Sequence, residues 1–371
     1  AQFNVEKFKT LSDIKHIPLL KKKELIFLQS IGPRLGGLLT KDIGELKRIF
    51  LSPGPIFDPE DRMDDYWGYT EAFYSVGFRP GDVVQVTFNY HLSPAGLMFE
   101  EPLRNLGCAS IPAGPTDPGT QLDIMQKLRV SGYVGTASYL MHLAQKAEEK
   151  GINLRKDLFQ EVAFVTGERL SEKMRNQLEK KFDIILRQGY GTADVGCIGY
   201  ECFHKTGLHI SNRCYVEICH PDTGIPLKDG EVGEIVVTSF NKTYPLIRLA
   251  TGDLSYIDRA PCACGRTSPR LGSIVGRVDT TARIKGMFVY PHQVEQVMAR
   301  FEDIKRWQIE VINPGGSDEM ILYVEASNFH QEDELLHLFR ERIKLRPELK
   351  VLAPGTLPPQ IKPIEDKREW D

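Results

Sequence analysis

EVAFVTGERLSEKMRNQLEKKFDIILRQGYGTAD, residues 161–194, is the stretch that decides the fold. EVAFVTG reads as a strand, SEKMRNQLEKKF as a charged helix, and DIILRQGYG as a second strand. A strand, helix, strand unit of this kind implies a largely parallel sheet covered by helices. The alternation continues upstream through VVQVTF from Val83, an apolar helix around Gly96 to Leu106, CASIP from Cys108, an amphipathic stretch around Gln121 to Leu128, YVGT from Tyr133 and then SYLMHLAQKAEEKG. Ligands of such sheets sit at the carboxyl ends of the strands.

Downstream the pattern changes. Between Tyr215 and Tyr256, YVEICH, GEIVVTSF and YPLIRL read as strands separated by the turn signals DTG and KDGEVG, so a small β subdomain follows the α/β part. After Gly276 come a strand, the helix PHQVEQVMARF, the strands WQIEVIN and MILYVEAS, the helix EDELLHLFRERI and a Lys/Pro-rich end. The expected division is therefore an N-terminal domain over 1–276 and a small α+β domain over 277–371. The first seventy residues read as basic and irregular, with KKKEL at 21–25 and a loop, SPGPIFDP, from Ser52 to Pro59.

Composition narrows the function. Across 371 residues, 47 basic against 50 acidic side chains give a net charge of −3, which offers no electrostatic footprint for nucleic acid. No run approaches the roughly 18 apolar residues of a membrane span. The start AQFNVEKFKT has no leader pattern, so the expected location is cytoplasmic. Seven cysteines, an odd number, fit reduced thiols rather than a disulfide framework, some of them holding metal.

Four strings carry chemistry. Gly167-Glu168 closes one strand, and Gly189-Tyr190-Gly191-Thr192-Ala193-Asp194 closes the next, where small residues let a flat ring approach the backbone and a Thr and an acid meet phosphate or metal. Alone, such a string reads as an ordinary strand-to-helix turn. YPLIRLATGD places Asp253 after a Gly turn, where a carboxylate accepts ribose hydroxyls or simply closes a turn. Gly276-Arg277-Val278-Asp279 stands at the domain boundary, suited to a phosphate contact and a hinge, or to a plain linker.

In this order the strings resemble the adenylate-forming superfamily of acyl-CoA synthetases, and more closely the phenylacetate-CoA ligase family. YGTADVGCIGYEC is similar to that family's YG.SE....EC segment, GERLSEKMR to its adenine-side helix, and CACGRTSPRLGSIVGRVDTTARIKGMFVYPHQVE to its CxCGRT...GR.D....RG..V.P.Q.E block, over nearly the whole chain from about Phe8. The resemblance implies a large N-terminal α/β domain with a β subdomain and a small mobile α+β C-terminal domain. It implies that ATP adenylates a carboxylic acid with loss of pyrophosphate, assisted by Mg²⁺, and that CoA then attacks the acyl-AMP. Gly167 and Glu168 would border the adenine, Tyr190 with Gly191 would stack on it, Thr192 would touch the α-phosphate, Asp194 would place Mg²⁺ and Asp253 would hold the ribose. Arg277 would contact the nucleotide, Asp279 would be the hinge, Gly286 would lie beside the CoA thiol channel, and Lys362 would neutralise the adenylating carboxylate and α-phosphate.

By the same analogy Tyr90, His91 and Ala95 with the Tyr139 region would line the acyl pocket and suit an aryl or arylacetic acid. One segment departs from the family pattern. Where its members carry a Ser/Thr/Gly-rich phosphate loop with a Lys, this chain has Pro53 and Pro55, which lack amide donors, and Asp58, which would repel a polyphosphate. Arg48 or Lys47 would then hold the phosphates, or the protein would be a non-adenylating nucleotide- and acyl-binding protein; a third alternative is an adenylyltransferase that does not use CoA. Finally, Cys262-Ala263-Cys264 supplies two thiolates, and Cys202 with His209 supplies two more ligands for a structural Zn²⁺, with His204 and Cys197 in reserve. The expected partners are a carboxylic acid, ATP and CoA, with a homodimer left open.

Overall fold

The computed structural model describes residues 8–52, 55–284, 287–314 and 318–368. The basic N-terminal segment is more regular than its composition suggests. A short strand β1 (Leu20–Lys21) leads into helix α1 (Lys22–Ile31), whose Leu25 is fully buried against Leu46, Ile56, Tyr244 and Leu249. The expected loop at 52–59 is instead the turn and second strand of a hairpin, β2 (Arg48–Ser52) with β3 (Ile56–Glu60), in which Leu51 faces Phe57 and Phe50 faces Asp58. Pro59 lies within β3 opposite Ile49, where it is tolerated because a two-stranded ribbon leaves every strand an edge.

The α/β pattern follows the expected order. Helix α2 (Thr70–Val76) precedes β4 (Val83–Val86), α3 (Ala95–Asn105), β5 (Ala109–Pro112), α4 (Pro118–Lys127), β6 (Gly132–Gly135), α5 (Ala137–Glu149), β7 (Val162–Val165), α6 (Glu172–Phe182) and β8 (Ile185–Thr192). Asp117, Thr136 and Ser171 start α4, α5 and α6 by accepting the backbone N–H of the third helical residue, a cap worth about 1 kcal/mol each. The strands β5, β4, β6, β7 and β8 lie side by side in parallel. Phe164 of β7 and Val84 of β4 pack under α2 and α3 with Phe73, Phe99 and Leu103, while Ala163, Leu140 and Leu178 fill the opposite layer.

Beyond β8 the sheet ceases to be parallel. β9 (Gly196–Glu201) returns antiparallel to β8, followed by β10 (Leu208–Ile210), and the nine-stranded order becomes β14-β15-β10-β9-β8-β7-β6-β4-β5 once β11 (Cys214–Cys219), β12 (Gly233–Ser239), β13 (Leu249–Ser255), β14 (Ile257–Asp258) and β15 (Arg270–Leu271) are counted. β1, β13, β12 and β11 form the core of the second sheet, the expected β subdomain. YPLIRL itself is not a strand: Tyr244 and Leu246 are core residues, but Arg248 adopts a left-handed φ of +50° and regular pairing begins at Leu249. Arg175 of α6 is fully buried and forks onto Glu201 of β9 through Nη1 at 2.8 Å and Nη2 at 2.6 Å, while the Gln188 amide of β8 donates to the same carboxylate at 2.9 Å. That one ion pair locks a helix to both strands flanking the sheet's change of direction.

The chain divides into two compact units, Ala1–Thr251 with Tyr256–Ser273 and Gly252–Ser255 with Ile274–Asp371. The sequence-based division after Gly276 falls just inside the second unit, which also takes in the last four residues of β13. Within it, β16 (Gly276–Arg277) pairs with β13, β17 (Ala282–Ile284) pairs with β18 (Met287–Val289), and helices α7 (Pro291–Met298) and α8 (Glu332–Ile343) cover a sheet of order β21-β20-β19-β22. Its strands are β19 (Arg306–Ile312), β20 (Glu319–Glu325), β21 (Glu348–Leu352) and β22 (Ile364–Asp366), so the Lys/Pro-rich end carries two strands that its composition hides. Val294, Val297, Leu322, Val324, Leu335 and Phe339 form its core. Among the described residues, no helix is long and apolar enough to cross a membrane.

Candidate active site

The first unit gathers several site candidates at the carboxyl ends of β7 and β8. Gly167, with φ +83°, follows β7, and the Glu168 carboxylate accepts the backbone N–H of Ser138 at 2.6 Å and its hydroxyl at 2.8 Å. Glu168 thereby crosses the N-terminus of α5, where a carboxylate is favoured by the helix dipole. Tyr190, Gly191 and Thr192 end β8, with a register shift between Tyr190 and Gly191 that turns the strand's last residues. The Thr192 hydroxyl accepts the Val195 N–H at 3.3 Å.

The glycines of GYG answer to the protein's own packing. A Cβ at Gly189 would stand 2.2 Å from the Phe164 ring, and one at Gly191 would stand 2.2 Å from the Tyr69 hydroxyl and 2.3 Å from the Gly196 carbonyl. The string is also not a strand-to-helix turn, because β8 ends at Thr192 and a turn through Asp194 leads into the antiparallel strand β9. Asp194 is buried and bonded to a residue that sequence reasoning passed over: Lys22, the first residue of α1, whose Nζ lies 2.9 Å from Asp194 Oδ2. The signal was present as the KKK run, but only the fold shows which of the three lysines turns inward.

Asp58 does not face solvent as a phosphate-loop residue would. It is fully buried, and desolvation together with the nearby Asp194 charge pushes its carboxyl up to about 7. Lys47 and Arg48, the expected substitute cations, are committed elsewhere: Lys47 lies 2.8 Å from Glu101 and 3.2 Å from Glu60, and Arg48 lies 3.0 Å from Glu60.

Three of the acyl-pocket candidates, Tyr90, His91 and Ala95, lie where β4 gives way to α3, and the fourth, Tyr139, is on α5. The Tyr90 ring covers Gly96, at which a Cβ would come within 2.6 Å of it, and Ala95 opens α3 beside it. Burial, then the neighbouring Glu100 charge, raise the Tyr90 phenol above its ordinary range. His91 is exposed and turned back onto Asn89, whose side-chain oxygen accepts its backbone N–H at 2.9 Å. Tyr139 is half-buried on α5, its hydroxyl donating to the Thr116 carbonyl at 2.8 Å.

Cys202, His209, Cys262 and Cys264 converge, their ligand atoms all within 4.8 Å of one another. Cys202 Sγ is 3.7 Å from Cys262 Sγ, and Cys264 Sγ is 3.3 Å from His209 Nε2. Four tetrahedral donors at zinc distances stand roughly 3.5–3.8 Å apart, so the spacing fits one ion. The Ser268 hydroxyl lies 3.3 Å from His209 Nδ1, which orients the ring and turns Nε2 toward the thiols. Burial opposes ionisation of Cys262, but hydrogen bonds from the Cys264 backbone and the Thr206 hydroxyl outweigh it and bring the thiol down to about 5. Burial raises Cys202 to about 11.

In the second unit Asp253 is not in a turn but within β13, opposite Arg277 of β16. Gly252 before it has φ +82°, and the Arg277 guanidinium lies against the space a Cβ would fill there. Arg277 Nη1 donates to Asp253 Oδ1 at 3.0 Å, and its Nε donates to Asp279 Oδ1 at 2.9 Å across the single 3-10 turn Val278–Thr280. Lys362 is exposed, its carbonyl accepting from Gln308. Gly286 lies outside the described residues, as do Pro53 and Gly54.

Comparison with known proteins gives this arrangement a context. The model of the AMP-binding enzyme family matches residues 67–242, and that of the AMP-binding enzyme C-terminal domain matches 286–368. The chain is 30% identical over 386 residues to the phenylacetate-coenzyme A ligase of Thermus thermophilus, covering 95% of this chain and 84% of that one. It is 26% identical over 387 residues to the enzyme of the same name from Escherichia coli, covering 96% and 85%. Among solved structures, 2-hydroxyisobutyryl-CoA ligase in an open conformation with 2-HIB-AMP and CoA superposes with a TM-score of 0.85 at 22% identity, over 98% of this chain and 85% of that one.

Proposed function

Because the chain belongs to the phenylacetate-CoA ligase family of adenylate-forming enzymes, we propose that it is an AMP-forming carboxylate-CoA ligase that takes an aryl or arylacetic acid. The observation that carries this reading is that the likeness spans both compact units, the parts that the two half-reactions require. In the first half-reaction the carboxylate attacks the α-phosphorus of ATP and pyrophosphate leaves. In the second, the CoA thiol attacks the acyl carbonyl and AMP leaves.

The chain's own residues take these roles. Gly167 and Glu168 border the adenine, with Ser138 holding the Glu168 carboxylate in place. Tyr190 and Gly191 flank the ring and Thr192 meets the α-phosphate. Asp253 accepts the ribose hydroxyls, held in its rotamer by Arg277, which also contacts the nucleotide. Lys362 neutralises charge in adenylation, and Gly286 belongs to the CoA path. Tyr90, Ala95 and Tyr139 line a flat apolar acyl site, with the exposed His91 at its edge.

Mg²⁺ would be held by Asp194, whose buried Oδ1 has no hydrogen-bond partner, and would supply charge neutralisation for the departing pyrophosphate. Zn²⁺ would be held by Cys202, His209, Cys262 and Cys264 in a closed, structural site.

The deciding experiment is ATP–pyrophosphate exchange with a panel of aryl, arylacetic and aliphatic acids, followed by CoA-dependent release of AMP. Exchange with an arylacetate and CoA-dependent product support the ligase. AMP binding without exchange would make it the non-adenylating relative, and exchange with no response to CoA would make it an adenylyltransferase.

A further inference from the structure

Asp58 stands where the family resemblance expects a phosphate-loop lysine, and the structure gives that exchange a consequence of its own. Its carboxylate is fully buried on β3, yet neither oxygen has a hydrogen-bond partner. The nearby Ser52 hydroxyl eases the Asp58 charge but is itself turned to the Ile56 carbonyl at 3.3 Å. Asp194, whose charge acts on Asp58, adds a third partnerless oxygen, Oδ1, from a side chain that is 1% exposed.

Against these two carboxylates the described residues offer one cation, Lys22, bonded to Asp194 Oδ2 at 2.9 Å and also acting on Asp58. Taking an uncompensated carboxylate out of water costs several kcal/mol, so two acids with one ammonium and three empty acceptors are a site built for more positive charge. The adjoining hydroxyls do not supply it. The Tyr244 hydroxyl accepts from the Gln29 side-chain amide at 2.9 Å, and a phenol can donate a hydrogen bond but brings no positive charge; Gln29 is further fixed to the hairpin through the Phe57 N–H and carbonyl. Hard carboxylate oxygens from two side chains, with water and phosphate completing the shell, are the donor set Mg²⁺ and Mn²⁺ favour.

We propose that Asp58 and Asp194 together form a divalent-cation site in which Lys22 is the tethered counter-cation that the metal displaces. The Lys22 side chain is 35% exposed, so the ammonium that neutralises the acids also marks the way in. In the ligase reading, on which the catalytic use of this site rests, the site holds the metal before the nucleotide arrives, and the second carboxylate takes over cation-holding from the lost loop. Lys22, once released, faces the phosphates.

The test is titration of the full chain, its Cys/His cluster loaded with zinc and the protein freed of nucleotide and loosely held divalent ions by gel filtration, with Mn²⁺ followed by electron paramagnetic resonance. Mn²⁺ is chosen because it prefers oxygen to the thiolates of the Cys/His cluster. Wild type is expected to bind about one Mn²⁺ at this site, Asp58→Asn at least tenfold more weakly, and Lys22→Met several-fold more tightly because its competitor is gone. Should Asp58→Asn not fold, as judged by circular dichroism, the tightening in Lys22→Met carries the test. No saturable binding in wild type or Lys22→Met, or wild-type affinity in folded Asp58→Asn, overturns the proposal. Mn²⁺ binding that depends on Asp58 in a protein inactive in pyrophosphate exchange would uphold the site while removing the ligase reading; active exchange with no such binding would do the reverse.

Discussion

Asp253 and Arg277 act as a pair. The guanidinium donates to Asp253 Oδ1 and also to Asp279, so the carboxylate is held in the fixed position that the ribose role proposed for it requires. Removing it in Asp253→Ala should weaken AMP binding by about 2–3 kcal/mol, roughly 30- to 150-fold, through loss of charge-assisted hydrogen bonds, as read by calorimetry on folded protein. Arg277→Met should weaken AMP in the same direction; unchanged affinity in both would leave Asp253 a plain strand residue. The Cys/His cluster makes a second residue-level prediction. Cys264→Ser, which removes the ligand facing His209, should bring zinc content well below one equivalent and lower the melting temperature, and chelation of wild type should do the same. The convergence of these four side chains was readable in the sequence, since a CxC with a nearby Cys/His pair marks them out. The glycines of GYG were not, because the atoms that exclude a Cβ at Gly189 and Gly191 belong to Phe164 and Tyr69, far away in the chain. Asp58 misled for a related reason: its residue type says solvent, and only the hairpin register puts it opposite Phe50 and indoors.

Among elements, α6 with β8 and β9 deserves the heaviest stability cost. The Arg175–Glu201 pair is buried on both sides and satisfied by a bidentate fork plus the Gln188 amide. Breaking it in Glu201→Ala strands a buried guanidinium and should cost about 3–5 kcal/mol in urea unfolding, whereas the double change Arg175→Met with Glu201→Leu should recover much of the loss. If both variants were equally unstable, packing rather than the uncompensated charge would be responsible. The parallel half of the sheet was legible because its strands are short apolar runs between amphipathic helices, a period signal that needs no partner. The antiparallel half was less so: β10, β14 and β15 span two or three residues each, too short for any periodicity to register. At Tyr244 an apolar run imitated a strand, and the left-handed Arg248 that ends the resemblance is held by Glu217, Gly224 and two N-terminal carbonyls rather than by its own neighbours.

For the molecule as a whole, two half-reactions at one site require different groups to be presented in turn, and the proposed hinge at Asp279 would let the residues after it do this without rebuilding the pocket. Asp279→Pro should therefore reduce thioester formation more than pyrophosphate exchange; equal loss in both assays would argue against a hinge in the turn at 278–280. The division into units has a further consequence for how such a protein can be cut or recombined. The chain enters the second unit within β13, leaves it at Tyr256 and returns at Ile274. A single junction after Gly276 would strip Arg277 of its partner Asp253 and leave the end of β13 with unpaired backbone groups. No one breakpoint separates the two units cleanly, so a chimera that exchanges the C-terminal domain must carry the second half of β13 with it, and Asp253 is inherited together with its partner Arg277.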